Sequence, residues 1–250
     1  MIKQDLHVHT TYCDGKNTPE EMVLSAIEKG LTRLGFSGHA YQSFDQEPSM
    51  SIEGTAAYRA EIAALKEKYR DKIEILCGVE QEYFADFPAE GYDYVIGSVH
   101  YLKRGDRFLC IDQSCEEFCN IVKEYFGGDF LAAAEEYYAL ESDVLRKTGG
   151  DIIGHFDLIT KYNEGGRLFD ESDPRYVAAW QAAVDKLLPY GKPFEINTGC
   201  VSRGHRTTPY PAAPILQYIR ERGGHVVMNG DTHAAENLCY QFDVWQKLMW

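Results

Sequence analysis

Short apolar runs alternate along the chain with longer amphipathic segments, and the alternation holds from one end to the other. Seven such runs cover residues 5–9, 34–39, 73–80, 92–100, 151–155, 193–197 and 225–233. Each is brief, rich in β-branched or aromatic residues and followed by turn residues, which predicts a buried strand. The segments between them carry helix signals. Thr18-Pro19-Glu20-Glu21 combines an N-cap, a proline at the first helical position and a capping-box glutamate, and the helix it opens runs to Gly30. Further helices are predicted over about 56–69, from Ser114 with Glu117 closing a capping box to Gly127-Gly128, over 130–147, 174–188 and 213–222, and over the tail 236–250.

Strands that alternate with helices, without a linker or low-complexity run between them, predict a single α/β domain over residues 1–250, with the strands closed into a barrel. In such barrels the chemistry gathers at the carboxyl ends of the strands. The polar residues found there are His7, His9, His39, Glu80, His100, His155, Asp231 and His233, with Asp14 in the turn after the first strand. His7 and His9, two apart on a strand, point to the same face. Taken singly, each of these residues reads as an ordinary hydrogen-bonded histidine or a helix-capping acid. Together they use six of the eight histidines. Converging on one mouth, such a set suits about three metal ions, and its mixture of imidazole and carboxylate accepts Zn, Fe or Mn. Charge points the same way. Asp14, Glu80 and Asp231 alone would make the mouth hostile to anions, whereas three divalent ions reverse its sign and suit a phosphate dianion.

A chain of 250 residues with 44% hydrophobic content can bury one large core. Its net charge of -14 disfavours nucleic acids and anionic membranes as partners and favours small substrates. No apolar run approaches the ~18 residues of a membrane helix, and the first residues lack a basic, then apolar, leader, so the cytoplasm is the expected location. The seven cysteines are odd in number and scattered, as expected for reduced thiols; Cys110, Cys115 and Cys119 match no zinc or iron–sulfur spacing. No pattern specifies an oligomeric state.

The His7/His9, His39, Glu80, His100, His155 and Asp231/His233 motifs resemble those of the polymerase and histidinol phosphatase (PHP) superfamily, over nearly the whole chain. Within it the chain looks most like the monofunctional histidinol-phosphate phosphatases. That narrower resemblance rests on Gly78-Val79-Glu80, residues 93–100, residues 154–159, Glu195-Ile196-Asn197-Thr198 and Pro209-Tyr210-Pro211. The resemblance implies a distorted (β/α)7 barrel with a trinuclear centre. His7, His9, Glu80 and Asp231 would surround one ion, Glu80 would bridge to a second held by His100 and His155, and Asp14, His39 and His233 would hold the third. The implied activity is hydrolysis of L-histidinol phosphate to L-histidinol and phosphate, a step of histidine biosynthesis.

In that reaction Glu80 and Asp231 serve the ion where water attacks phosphorus. Arg203 and Arg206, after the sixth strand, and Lys161, after the fifth, are candidates to clamp the phosphate. His205, between the two arginines, is the candidate to protonate the leaving alkoxide, and His225, at a strand start, is expected to be structural. Glu82, Asp112 and Asp157 are acids near the mouth that could receive the substrate's ammonium and imidazole. Two other readings compete: a PHP-type esterase acting on another small phosphate ester or on nucleic acid, and a metal-binding barrel without activity. The net charge opposes nucleic acid, and the complete ligand set opposes a silent site.

Overall fold

Strands this short bury both faces only by pairing in parallel under a layer of helices. The computed structural model, which describes residues 3–250, shows that arrangement. Strands β1 (Gln4–Asp5), β2 (Arg33–Phe36), β3 (Glu74–Glu82) and β4 (Tyr94–Ser98) come first, and β5 (Tyr101–Arg104) and β6 (Arg107–Cys110) follow. β7 (Ile152–Ile153), β8 (Phe194–Asn197) and β9 (Val226–Asn229) complete the set. Seven of them form one parallel sheet in the order β1-β2-β3-β4-β7-β8-β9. The ends meet where Val8 bridges Thr232, with His9 N donating to Thr232 O and Thr232 N to His7 O, both at 2.9 Å. The result is a nearly closed seven-stranded barrel ringed by helices.

The period-two alternation sorts the side chains. Val79, Ile153 and Phe194 point outward into the helix-covered core, together with Val8. Inside the barrel Tyr94, Ile96 and Ile152 pack with Leu6, Leu76 and Val227. The Tyr94 hydroxyl donates toward Leu6 O and Phe36 O, tying three strands together. The side chain passes so close to β2 and β3 that a Cβ at Gly35 would lie 2.4 Å from the hydroxyl and one at Gly78 2.3 Å from the ring, which requires glycine at both. One turn nearer the carboxyl ends the interior becomes polar, with Glu80, Ser98, Glu195, Asn197 and Asn229 all fully or almost fully buried.

Helix α1 (Pro19–Glu28) opens on the capping box: Thr18 Oγ1 accepts from Glu21 N, and the Glu21 carboxylate accepts from Thr18 N. α2 (Ile52–Tyr69) begins earlier than predicted because Ser51 caps it, accepting from Gly54 N. α3 (Cys115–Tyr125) starts at Ser114 as expected. The helix predicted over 130–147 is two, α4 (Phe130–Glu141) and α5 (Val144–Thr148). Asp143 leaves the helical path between them and turns its carboxylate to Arg146. α6 (Pro174–Leu187) and α8 (Ala213–Glu221) flank a single turn, α7 (Gly199–Ser202).

Two expectations are corrected. The tail is no continuous helix: only a turn, α9 (Phe242–Trp245), is α-helical, because Cys239 and Gln241 take φ of 56° and 54°. And β5 and β6 form an antiparallel hairpin, turning at Gly105, that the sequence reading missed. All seven cysteines are free. No helix among the described residues is long and apolar enough to cross a membrane.

Candidate metal centre

The barrel delivers the polar strand ends to one point, the carboxylate of Glu80. Its Oε2 lies 3.2 Å from His7 Nε2, 3.5 Å from His9 Nε2 and 3.1 Å from His39 Nδ1. Its Oε1 lies 2.9 Å from His155 Nε2 and 3.4 Å from His100 Nε2, and accepts from Ser98 Oγ at 2.7 Å. Asp231 Oδ1 stands 3.4 Å from His9 Nε2 and 3.8 Å from His7 Nε2. Asp14 Oδ1 is 3.3 Å from His9 Nδ1, and its Oδ2 is 3.1 Å from His233 Nε2 and 3.6 Å from His39 Nε2. The nine side chains singled out from the sequence thus form one continuous cluster.

Three sets within it bring one ligand atom each to within 4.8 Å of the others: His7, His9 and Glu80; His39, Glu80 and His100; and His9, Asp14, His39 and His233. Two atoms that bind one zinc ion lie at most about 4 Å apart, so small contractions would close each set on an ion. The sets overlap more than the expected division of ligands, since His9 also reaches Asp14 and His39 also reaches Glu80. The residues fit a divalent cation on a second count. His7 Nε2 and His9 Nε2 are buried and have no hydrogen-bond partner. An orphaned buried acceptor costs roughly 1–3 kcal/mol, which a cation on the lone pair removes.

The electrostatics agree. Burial opposes the charged form of His7, but Glu195, Glu80 and Asp231 outweigh it and raise the ring well above its ordinary range. Burial likewise opposes a charge on His100, yet Glu80 and Glu82 lift it to about 10. Burial favours a neutral Glu80, but His7, His39 and His100 hold it well below the ordinary carboxylate range. Ionised carboxylates that hold protons on the neighbouring imidazoles attract metal cations by the same field, so metal binding should release those protons.

Two residues that orient these ligands were not assigned that role from the sequence: Glu195, quoted there only for the narrower resemblance, and Asp5. Glu195 Oε1 lies 2.7 Å from His7 Nδ1, and its Oε2 accepts from His155 N at 2.9 Å. That contact fixes the His7 proton on Nδ1 and frees Nε2 for a metal. Asp5 accepts from Gly230 N and so pins the turn in which Asp231 holds φ 47°, a strained backbone for a residue with a Cβ. The signal for Glu195 was an acid between the apolar residues Phe194 and Ile196; Asp5, after Lys3-Gln4, carried none.

A cleft of about 500 Å³ opens over the cluster, and Lys161, Arg203, His205 and Asp112 line it. Arg203 donates to Asp231 Oδ2 at 2.8 Å, to Asp231 O at 2.9 Å and to His233 Nδ1 at 3.0 Å, leaving its Nε–H and one Nη2–H for other partners. Lys161 Nζ donates to Asp112 O at 2.7 Å and sits 3.2 Å from its carboxylate. Three expectations are corrected. Arg206 lies under the site, only 8% exposed, and gives its guanidinium to the Thr160 carbonyl and hydroxyl, so it cannot clamp a ligand in the cleft. Asp157 is fully buried and accepts from Ala212 N, away from the mouth. Glu82 does line the cleft, but its Oε2 is committed to the backbone and ring of His100, at 2.8 and 3.0 Å. His225 is exposed and contributes its carbonyl to Phe194 N.

Known proteins resemble the chain in sequence and share its fold. A "Probable histidinol-phosphatase" of Deinococcus radiodurans is 30% identical over 254 residues, covering 95% of this chain and 89% of the relative. A crystal structure from Listeria monocytogenes superposes with a TM-score of 0.86 at 23% identity, covering 97% of this chain and 100% of the other. The histidinol phosphate phosphatase of Lactococcus lactis, solved with Zn, L-histidinol and phosphate, superposes with a TM-score of 0.71 at 22% identity over 98% of this chain and 93% of that one. The sequence pattern of the PHP domain matches residues 5–199, stopping short of Asp231 and His233, which closure of the barrel brings to the same centre. On that match, over most of its length, the chain belongs to the PHP domain family.

Proposed function

We propose that the chain is a metal-dependent phosphomonoesterase that hydrolyses L-histidinol phosphate to L-histidinol and phosphate, using three divalent ions, Zn, Fe or Mn. The observation that carries the reading is the cluster centred on Glu80, with imidazole nitrogens on both of its carboxylate oxygens. The names of the D. radiodurans and L. lactis proteins support the choice of substrate. His7, His9, Glu80 and Asp231 would hold one ion, Glu80, His100 and His155 a second, and Asp14, His39 and His233 a third. Bound there, divalent ions lower the pKa of water and neutralise phosphoryl oxygens.

The protein's own groups do the positioning. The free N–H groups of Arg203 and the ammonium of Lys161 bind phosphoryl oxygens, holding the ester bond over Glu80. As the bond from water oxygen to phosphorus forms and the ester P–O bond breaks, the leaving alkoxide needs a proton. His205 lines the cleft and can supply it; partial burial together with Lys161 and Arg203 lowers its pKa, so the imidazolium that donates the proton is favoured toward acidic pH. The net charge of -14 and a cleft sized for a small ester favour cytoplasmic metabolism over nucleic acid.

Replacing Glu80 with Gln or His155 with Ala, with metal supplied, should lower kcat/KM for histidinol phosphate by about two orders of magnitude or more. Near-normal turnover by a folded variant would sink the mechanism. A wild-type protein that cleaves a generic diester and releases no phosphate from histidinol phosphate would replace the reading with a phosphodiesterase.

A further inference from the structure

The cleft has two unlike walls. Its cations, Lys161 and Arg203, come from the loops after β7 and β8, whereas the loop after β2 contributes Gln42, Asp45 and Glu47. In the circular strand order β2 stands three strands from β7 one way and three from β8 the other, so its loop faces the cations across the mouth. The β5–β6 hairpin holds the loop in place. Phe44 stacks on Phe108 with centroids 3.8 Å apart and planes 11° from parallel, and it meets Tyr101 edge-on at 5.1 Å.

Gln42 is the residue this packing orients. The Tyr101 hydroxyl donates to Asp45 Oδ2 at 2.6 Å. With that proton spent, the hydroxyl oxygen can only accept, so the Gln42 atom 3.4 Å away is the amide nitrogen and Oε1 is the free end. Gln42 is 4% exposed, and Oε1 is buried without a hydrogen-bond partner. An acceptor held by a relay of two other side chains and left unpaired in a cleft wall is matched by a ligand's N–H. Asp45 and Glu47, on the same wall, add a negative field that favours a cationic nitrogen.

We propose that Gln42 Oε1, oriented through Tyr101 by Asp45, accepts a hydrogen bond from an N–H group on the organic part of the phosphate ester and sets a preference for nitrogen-bearing esters. The inference rests on the phosphomonoesterase reading above and identifies the residue that selects its leaving group. An ester without an N–H gains nothing from this wall and leaves Oε1 unpaired.

The test compares histidinol phosphate with 3-phenylpropyl phosphate, which has no N–H, on the metal-loaded enzyme and three variants. Gln42→Met should lower kcat/KM for histidinol phosphate about tenfold while holding 3-phenylpropyl phosphate within about twofold. Gln42→Glu, which keeps an acceptor, should retain the preference. Tyr101→Phe, which releases the amide to flip, should lose part of it, by about threefold. An equal loss on both esters, or an unchanged ratio in Gln42→Met, would overturn the proposal. A wild type inactive on histidinol phosphate defeats the substrate assignment alone. The ratio of other amino-alcohol phosphates to nitrogen-free esters then decides the role of Gln42, by the same criteria.

Discussion

Glu195 stands where four hydrogen-bond donors meet. His7 Nδ1 and Asn229 Nδ2 approach its Oε1 at 2.7 and 2.8 Å, and His155 N and Asn197 Nδ2 approach its Oε2 at 2.9 and 2.8 Å. Only an acceptor-only group satisfies such a set, which is why a carboxylate sits in a fully buried position. Burial would push it toward the neutral acid, but His7 and His155 hold its carboxyl below the ordinary range. Glu195→Gln would aim an NH2 at two of the four donors, so either His7 or His155 would lose its anchor. The expected result is a fall in metal affinity of about 10–100-fold, read by competition with a chromogenic chelator. Unaltered affinity in a folded variant would show that the His7 tautomer is set elsewhere. The acid inside Phe194-Glu195-Ile196-Asn197 was visible in the sequence, but its role was not. The donors that define it come from strand ends 188 and 40 residues away.

At the scale of elements, strand ends were the legible part because an apolar run followed by a histidine marks both a strand and the face it delivers. Boundaries depended on groups that contribute no period. Asp143 divides a pattern that reads as one helix, and left-handed Cys239 and Gln241 break the tail. The β5–β6 hairpin was hidden because Lys103, Arg104, Asp106 and Arg107 interrupt its short apolar alternation. Arg203 and Arg206 look equivalent in sequence, yet Gly204, at φ 71°, lies between them and turns the second beneath the site. Within α4 the informative residue is Glu141, fully buried, with Oε1 accepting from Tyr137 and Oε2 unpartnered. Burial raises this carboxyl well above its ordinary 4.5. The folded protein therefore keeps a proton that the unfolded chain loses, and this contribution is complete below about pH 4.5 and lost as pH rises through the folded pKa. Glu141→Gln keeps an acceptor for Tyr137 and does not ionise. Its stability relative to the parent should grow from pH 4.5 upward, by about 1.4 kcal/mol per pH unit until the folded carboxyl ionises. Denaturant midpoints across that range measure it, and a pH-independent difference would contradict a buried neutral Glu141.

For the molecule as a whole, the seam that closes the barrel is also where the metal ligands are densest. β1 is two residues long, and the backbone pairing across the seam to the last strand is a single bridge at Val8 and Thr232, reinforced by Asp5, which accepts from Gly230 N and Thr232 Oγ1, and by Asn229 Oδ1, which accepts from Leu6 N. His7 and His9 lie on one side of that seam and Asp231 and His233 on the other, with His9 and His233 rings stacked 4.0 Å apart. Cations shared across it would join the first and last strands, so the functional site doubles as the closure of the fold. Their loss would leave Asp14, Glu80 and Asp231 facing one another around orphaned imidazole nitrogens. Ions present at a thousandfold their Kd stabilise a folded chain by about 4 kcal/mol per site. For a protein of this size each kcal/mol moves Tm by roughly 2–4 °C. Chelation should therefore lower Tm by roughly 10 °C or more, with recovery when Zn, Fe or Mn is restored, and hydrogen exchange should rise first in the backbone around Val8 and Thr232. An unchanged melting curve, for protein shown by elemental analysis to be metal-free, would mean that the seam holds by its own hydrogen bonds and that the ions serve chemistry alone.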